Sequence, residues 1–237
     1  MLKQATAVLL SITLMIGGNK MAWIGGNYYL TEPEIKNNCY IVAGILLANG
    51  WNLDSVEAAL GNIWKESTVN PNIWEGLAPP PADPYTTPLG YGLCGWTPAK
   101  SLILFCDDRG LNWQDGDAQV EMMRGAYSYN PNTQQYEYGR HWGSSYDPGA
   151  PQINPPCSWD DFIANSQTQS RQTLCEWFMY YYEKPSYDPG IQDKQGRIDN
   201  TNKIHQWFVD DPPVPSGGSL PIWMMGRENL RLNIIHC

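Results

Sequence analysis

Positive charge is scarce in this chain: 15 Lys and Arg stand against 24 Asp and Glu, a formal balance of −9 at pH 7. A nucleic-acid binder needs a basic face to displace phosphate counterions, so nucleic acid is excluded as a partner. Histidine is nearly missing. His141, His205 and His236 are the full complement, none at ligand spacing from another, and no C-x-x-C occurs. Neither a metal site nor a cofactor is expected from such a set. G-x-S-x-G and S-x-x-K are lacking too, which removes the local signatures of serine hydrolases. No apolar run reaches the length of a stable membrane span. The longest, Ala5–Ile16, has signal-peptide length but no clean cleavage site after it, and Met21 offers a later start. Residues 1–26 are therefore read as an export signal or an over-extended start.

Phenylalanine is the last scarcity, and it is offset by abundance: 4 Phe against 11 Trp and 14 Tyr. Rings with a polar tip suit sugar faces and interfaces as well as cores. At 42% hydrophobic and 16% charged residues, the chain has the material for an ordered core. Six cysteines, at 39, 94, 106, 157, 175 and 237, would permit three disulfides in an exported protein. Cys39, Cys106 and Cys175, however, sit inside apolar helical patterns, and mostly free thiols are expected.

The punctuation marks out short helices. Thr31-Glu32-Pro33-Glu34 is a capping box, apolar residues follow at Ile35, Cys39, Val42, Ile45 and Leu46, and Gly50 ends the run. A second helix is predicted from Asn52 or Asp54 to Lys65. A third starts at Thr97-Pro98 and stops before Gly110, and others span Asp117–Tyr127, Ser158–Ala164, Ser170–Tyr182 and Gln195–Val209. Two long Pro/Gly/Tyr-rich loops, 75–92 and 128–157, separate them. The expected fold is mainly α with long irregular loops, in one domain over 27–210. A linker at 211–219 and a short tail at 220–237 follow.

Glu66 is the most informative position. At 100° per residue it flanks the stripe set by Ala59 and Ile63, while Lys65 points away. A carboxylate at a helix C-terminus beside an apolar face is partly desolvated and faces the negative end of the helix dipole. Both effects favour its protonated form, as a general acid requires.

The motif G-N-x-x-x-E-S-T-x-N-P-x-x-W, from Gly61 to Trp74, precedes G-Y-G-L-C-G-W-T-P, from Gly90 to Pro98. Tyr28–Trp51 and the Tyr-Tyr-Glu-Lys-Pro element at 181–185 add to the pattern. Together they resemble the phage tail lysozyme family, and more widely goose-type lysozymes and lytic transglycosylases. The resemblance implies a lysozyme-like α+β fold that cleaves the glycan strands of peptidoglycan between N-acetylmuramic acid and N-acetylglucosamine. Glu66 would protonate the glycosidic oxygen. Asn70, Tyr91, Gly92, Trp96 and Tyr182 would contact substrate, and Glu183 would line the cleft as a second catalytic group or pair with Lys184 or Arg197. Asp83 and Asp147 are the other candidates for the second carboxylate.

One departure stands out: Gly95 occupies the place where relatives carry a Gln before Trp-Thr-Pro. The resemblance further implies a virion protein, carried on the phage tail with other tail proteins as partners, that opens the host wall for DNA entry. Three alternatives stay open. These are a released, exported endolysin, a tail-tip sugar-binding protein without catalysis, and a wall endopeptidase using Cys94 with His141.

Overall fold

A computed structural model describes residues 21–143, 156–185 and 193–216. The predicted tail 220–237, Asp147 and most of the apolar N-terminal segment lie outside the described residues. Helices α1 (Glu32–Ala48) and α2 (Leu53–Ser67) come first. A 3-10 turn (Glu75–Leu77), α3 (Lys100–Asp108) and α4 (Gly116–Arg124) follow. Strands β1 (Ser128–Asn130) and β2 (Gln135–Glu137) precede α5 (Trp159–Ala164), α6 (Arg171–Phe178), a π turn (Met179–Glu183) and α7 (Lys194–Asp210). The architecture is thus mainly α with one two-stranded antiparallel sheet, in which Tyr129 faces Tyr136.

Local chemistry explains most helix ends. The Glu34 carboxylate accepts from both Thr31 N (2.8 Å) and Thr31 Oγ1 (2.7 Å), the expected capping box. Asn52 Oδ1 accepts from Asp54 N (2.9 Å), and Ser158 with Asp161 forms a second capping box. Three details differ from the sequence reading. Helix α3 starts at Lys100 rather than at Pro98, because Pro98 O accepts from Ser101 N in the preceding turn. The run predicted as one helix to Tyr182 is α-helical only to Phe178. It then widens into the π turn, closed by Lys184 N donating to Met179 O (2.8 Å). The stretch read as loop after 128 contains the β1–β2 hairpin, whose three-residue strands are too short to show alternation.

Residues on either side of 27–210 also bond to α1. Asn38 holds the chain before residue 27, donating to Ile24 O (2.7 Å) and accepting from Ile24 N (3.0 Å). Residues 211–216, expected as a linker, lie on α1: Tyr40 donates to Asp211 O (2.6 Å) and Ser216 N to Gly44 O (2.9 Å).

Helix α2 is the central element, packed on α1, α6 and α7. Gly61 makes its contact with α7 possible. A Cβ there would stand 2.8 Å from Arg197 O and 2.9 Å from Thr201 N, and closer still to Thr201 Oγ1. One turn earlier, fully buried Glu57 meets His205 Nδ1 of α7 (3.1 Å) and Arg171 Nε of α6 (3.3 Å), so polar contacts tie the same three helices. The aromatic excess goes largely into the core. Trp51, Trp142, Trp159, Phe162, Phe178, Tyr181 and Tyr182 form a connected set of buried rings, with Phe178 and Tyr182 stacked at 4.6 Å.

Candidate active site

The last turn of α2 carries Glu66 and turns Lys65 outward into an ion pair with Asp193 (2.6 Å). Thr68 and Val69 then adopt left-handed backbone, reversing the chain toward Asn70. The Glu66 side chain is 27% exposed, and its Oε1 forms an ion pair with Arg197. Arg197 itself is 2% exposed and is held from below by Asn62, its Nη1 donating to Asn62 Oδ1 (3.1 Å). Gly61, Asn62 and Glu66 therefore act as one unit: the glycine admits α7, the asparagine positions its arginine, and the arginine meets the carboxylate.

The π turn brings Glu183 to the same place. Its Oε1 is buried without a hydrogen-bond partner. Burial first, then the negative charge of Glu66, holds this carboxyl well above the usual carboxylate range, with Arg197 pulling the other way. Cys94 and Tyr182 complete the floor. Burial and the two glutamates push the Cys94 thiol up, and the Tyr182 hydroxyl is raised by burial and by the neighbouring Cys94 and Glu183. Gly95, at positive φ (56°), covers this group without a side chain; a Cβ there would lie 3.8 Å from Glu66 Oε2.

Glu66, Glu183, Trp96 and Tyr182 thus converge, whereas Asn70 and Tyr91 do not join them. Asn70 is fully buried and spends its amide on backbone: Oδ1 accepts from Gly26 N and Asn72 N, and Nδ2 donates to Gly26 O and Tyr28 O. Tyr91 is 2% exposed and packs between Trp74 and Trp113. Gly92 is needed for its positive φ (79°) and because a Cβ would strike the buried Gln119, which accepts from Leu93 N (2.9 Å) and donates to Pro71 O (2.7 Å). Asp83 sits in the exposed Pro-rich loop, accepting from Tyr85 N and Thr86 Oγ1. Lys184 donates to His141 O (2.6 Å).

The sequence reading gives Arg197 only as a pairing partner for Glu183, Asn62 only as a letter of the motif, and Gln119 not at all. Arg197 and Asn62 are polar residues on otherwise apolar helix stripes, a signal that was available: Arg197 shares the face of Thr201, Ile204 and Phe208. Gln119 carried no such signal, since two of its three amide bonds reach segments distant in sequence, Pro71 and Leu93. Among the described residues no cluster of three or more His, Cys, Asp or Glu is placed to hold a metal.

With this arrangement in view, comparison with known proteins is decisive. Residues 37–208 match the family model described as phage tail lysozyme. The chain belongs to the phage tail lysozyme family. It is also similar to "Morphogenesis protein 1" of Bacillus phage B103, at 37% identity over 95 residues, or 40% of this chain. That match spans a quarter of the relative's length. Membership places the chain among lysozyme-like phage proteins. Among the described residues, no helix is long and apolar enough to cross a membrane.

Proposed function

We propose that this chain is a tail-borne lysozyme that hydrolyses β-1,4 bonds between N-acetylmuramic acid and N-acetylglucosamine in peptidoglycan. In this reading Glu66 delivers the proton to the leaving oxygen and Glu183 acts as its partner. The carrying observation is that Glu66 pairs with a buried guanidinium whose charge also acts on the buried Glu183 carboxyl, with Gly95 presenting no side chain beside Glu66. With one positive charge beside them, both carboxyls ionised would leave a net negative charge where Glu183 is cut off from water. The favoured state keeps one proton on the pair. Glu183, cut off from water, holds that proton at rest; Glu66 is the member a glycan reaches. In the reaction the proton of the pair passes through Glu66 to the glycosidic oxygen, the bond from that oxygen to the anomeric carbon breaks, and a water adds to that carbon, its proton returning to the carboxyl pair.

The name of the Bacillus phage relative concerns assembly of a particle, which favours a virion-borne lysozyme over a freely released lysin. Such a protein makes a local opening for DNA entry, and other tail proteins would be its neighbours. An acidic chain held at the wall by a particle has no need of electrostatic steering. The endopeptidase reading gains no support. The Cys94 thiol is buried and raised, the reverse of an activated nucleophile, and His141 Nε2 faces Tyr182 O at 3.0 Å. Zymography on purified peptidoglycan tests the proposal: Glu66→Gln should lower clearing by at least about a hundredfold, the lower range for a general acid. Clearing that survives this change refutes it. Mass spectrometry of the fragments separates hydrolysis, which leaves reducing ends, from transglycosylation, which leaves anhydro sugars.

A further inference from the structure

Helices α2 and α7 run antiparallel, and three contacts mark their register. Glu57 Oε1 meets His205 Nδ1 (3.1 Å), Gly61 faces Thr201, and Glu66 pairs with Arg197. On α7 these partners, Arg197, Thr201 and His205, recur every fourth residue and so share one face. At about 1.5 Å of rise per residue, Glu57 stands about 13 Å along α2 from Glu66. The middle contact sets how closely the helices approach, and Thr201 spends its hydroxyl inside α7, donating to Arg197 O (2.9 Å). The polar contacts that join the two helices lie on either side of it.

The two ends differ in what the proposed reaction does to them. Glu66 gains and loses a proton in each cycle, and whenever it is neutral its attraction for the Arg197 charge falls away. Glu57 lies outside that exchange. Its side chain is fully buried between His205 of α7 and Arg171 of α6, and Asp54 of its own helix meets the same guanidinium (3.3 Å). Burial raises the Glu57 carboxyl, while His205 and Arg171 draw it back. As a source of stability the cluster is poor: Glu57 Oε2 and Arg171 Nε lie 3.3 Å apart, and neither makes a hydrogen bond. Buried ionic groups can often be exchanged for apolar side chains of similar volume with stability kept or gained, and fixing register is the use best attested for them. Here the members sit on α2, which carries Glu66, on α7, which carries Arg197, and on α6, which leads into the π turn of Glu183.

We propose that Glu57 and His205 are positioning residues: they pin α7 against α2 and so keep Arg197 beside Glu66 and Glu183 while Glu66 changes charge. The inference rests on the glycan-cleaving reading, but its test needs no turnover. The full-length double variant Glu57→Leu with His205→Leu removes the pin and fills its space. Carbon-13 NMR then follows the Glu66 and Glu183 carboxyl signals through pH in parent and variant. Arg197 is the cation facing this pair, with Cys94 and Tyr182 beside it and the Lys65–Asp193 pair outside. If Arg197 withdraws, the carboxyl midpoint should rise by about half a pH unit, a roughly threefold gain in proton affinity, while Tm stays level or rises. Ile204→Val, a buried change on α7 outside the polar row, should lower Tm and leave the midpoint in place. His205→Asn, which keeps a nitrogen near Nδ1, should leave it near the parent value. An unmoved midpoint in the folded double variant overturns the proposal, as does an equal movement in Ile204→Val. If the double variant fails to fold, His205→Ala, at a side chain 33% exposed, carries the same test. In wall clearing the double variant should lose about tenfold in kcat with KM unchanged, because lost alignment acts on the proton transfer. A parent that clears no wall removes the glycosidase reading alone; a parent that clears, with midpoints unmoved in the variant, removes the pin alone.

Discussion

Gly61→Ala tests the helix contact on which the paired carboxyls depend. In an isolated helix interior this change would stabilise by about 0.5–1 kcal/mol, because glycine loses more backbone freedom on folding. Here the added methyl would stand 2.8 Å from Arg197 O and 2.9 Å from Thr201 N. Ordinary contact begins near 3.4 Å, so α7 must retreat by about 0.6 Å at this turn. Overpacking of that kind costs about 1–3 kcal/mol. Taking the middle of both ranges leaves a net loss of about 1 kcal/mol, or roughly 2–4 °C in Tm for a domain of this size. Urea unfolding and calorimetry measure it. Thr201→Ala in the same chain removes the side-chain clash but neither backbone contact, so it should recover only part of the loss. Activity should fall further than stability at a temperature where both proteins are folded, since Arg197 moves with α7 and takes Glu66 with it. A Gly61→Ala protein as stable as the parent would show that propensity alone governs this position, and the close approach would be refuted.

Glu183 and Cys94 supply two more tests. Burial holds the Glu183 carboxyl above its ordinary value, so the folded chain keeps a proton that the unfolded chain releases. Stability from this group therefore falls as pH rises from the unfolded value, about 4.3, toward the folded one. Glu183→Gln should match the parent in Tm near pH 4 and exceed it increasingly toward neutrality; a variant less stable than the parent at neutral pH contradicts the sign. Cys94 should resist iodoacetamide in the folded protein near neutral pH and react after unfolding, because its thiol is buried and raised. Cys94→Ala should still clear peptidoglycan, and loss of clearing from that change alone would reinstate a thiol-dependent reaction.

Glu66, with its Gly-Asn lead and glycine-rich follow-up, was legible because the residues that define it lie close together along the chain. The helix starts at Thr31, Asn52 and Ser158 were legible for the same reason: a cap is a bond between neighbours. The end of α6 was not, since nothing within the run 170–182 distinguishes an α turn from the π turn that delivers Glu183. Nor could composition assign the aromatics. The same Trp and Tyr residues serve the core at Trp159 and Tyr182 and a proline-walled hollow at Trp113, a division set by which faces the fold covers.

What the sequence determined by itself was therefore local: a mainly α chain, its helix caps, and a carboxylate at the end of the second helix. What only the tertiary structure decided was the company that carboxylate keeps. Arg197 lies 131 residues from Glu66 along the chain, and Glu183 arrives from a third element. The charge state of a carboxyl depends on the burial and opposing charge around it, and both come from segments that meet only when α2, α7 and the π turn are packed.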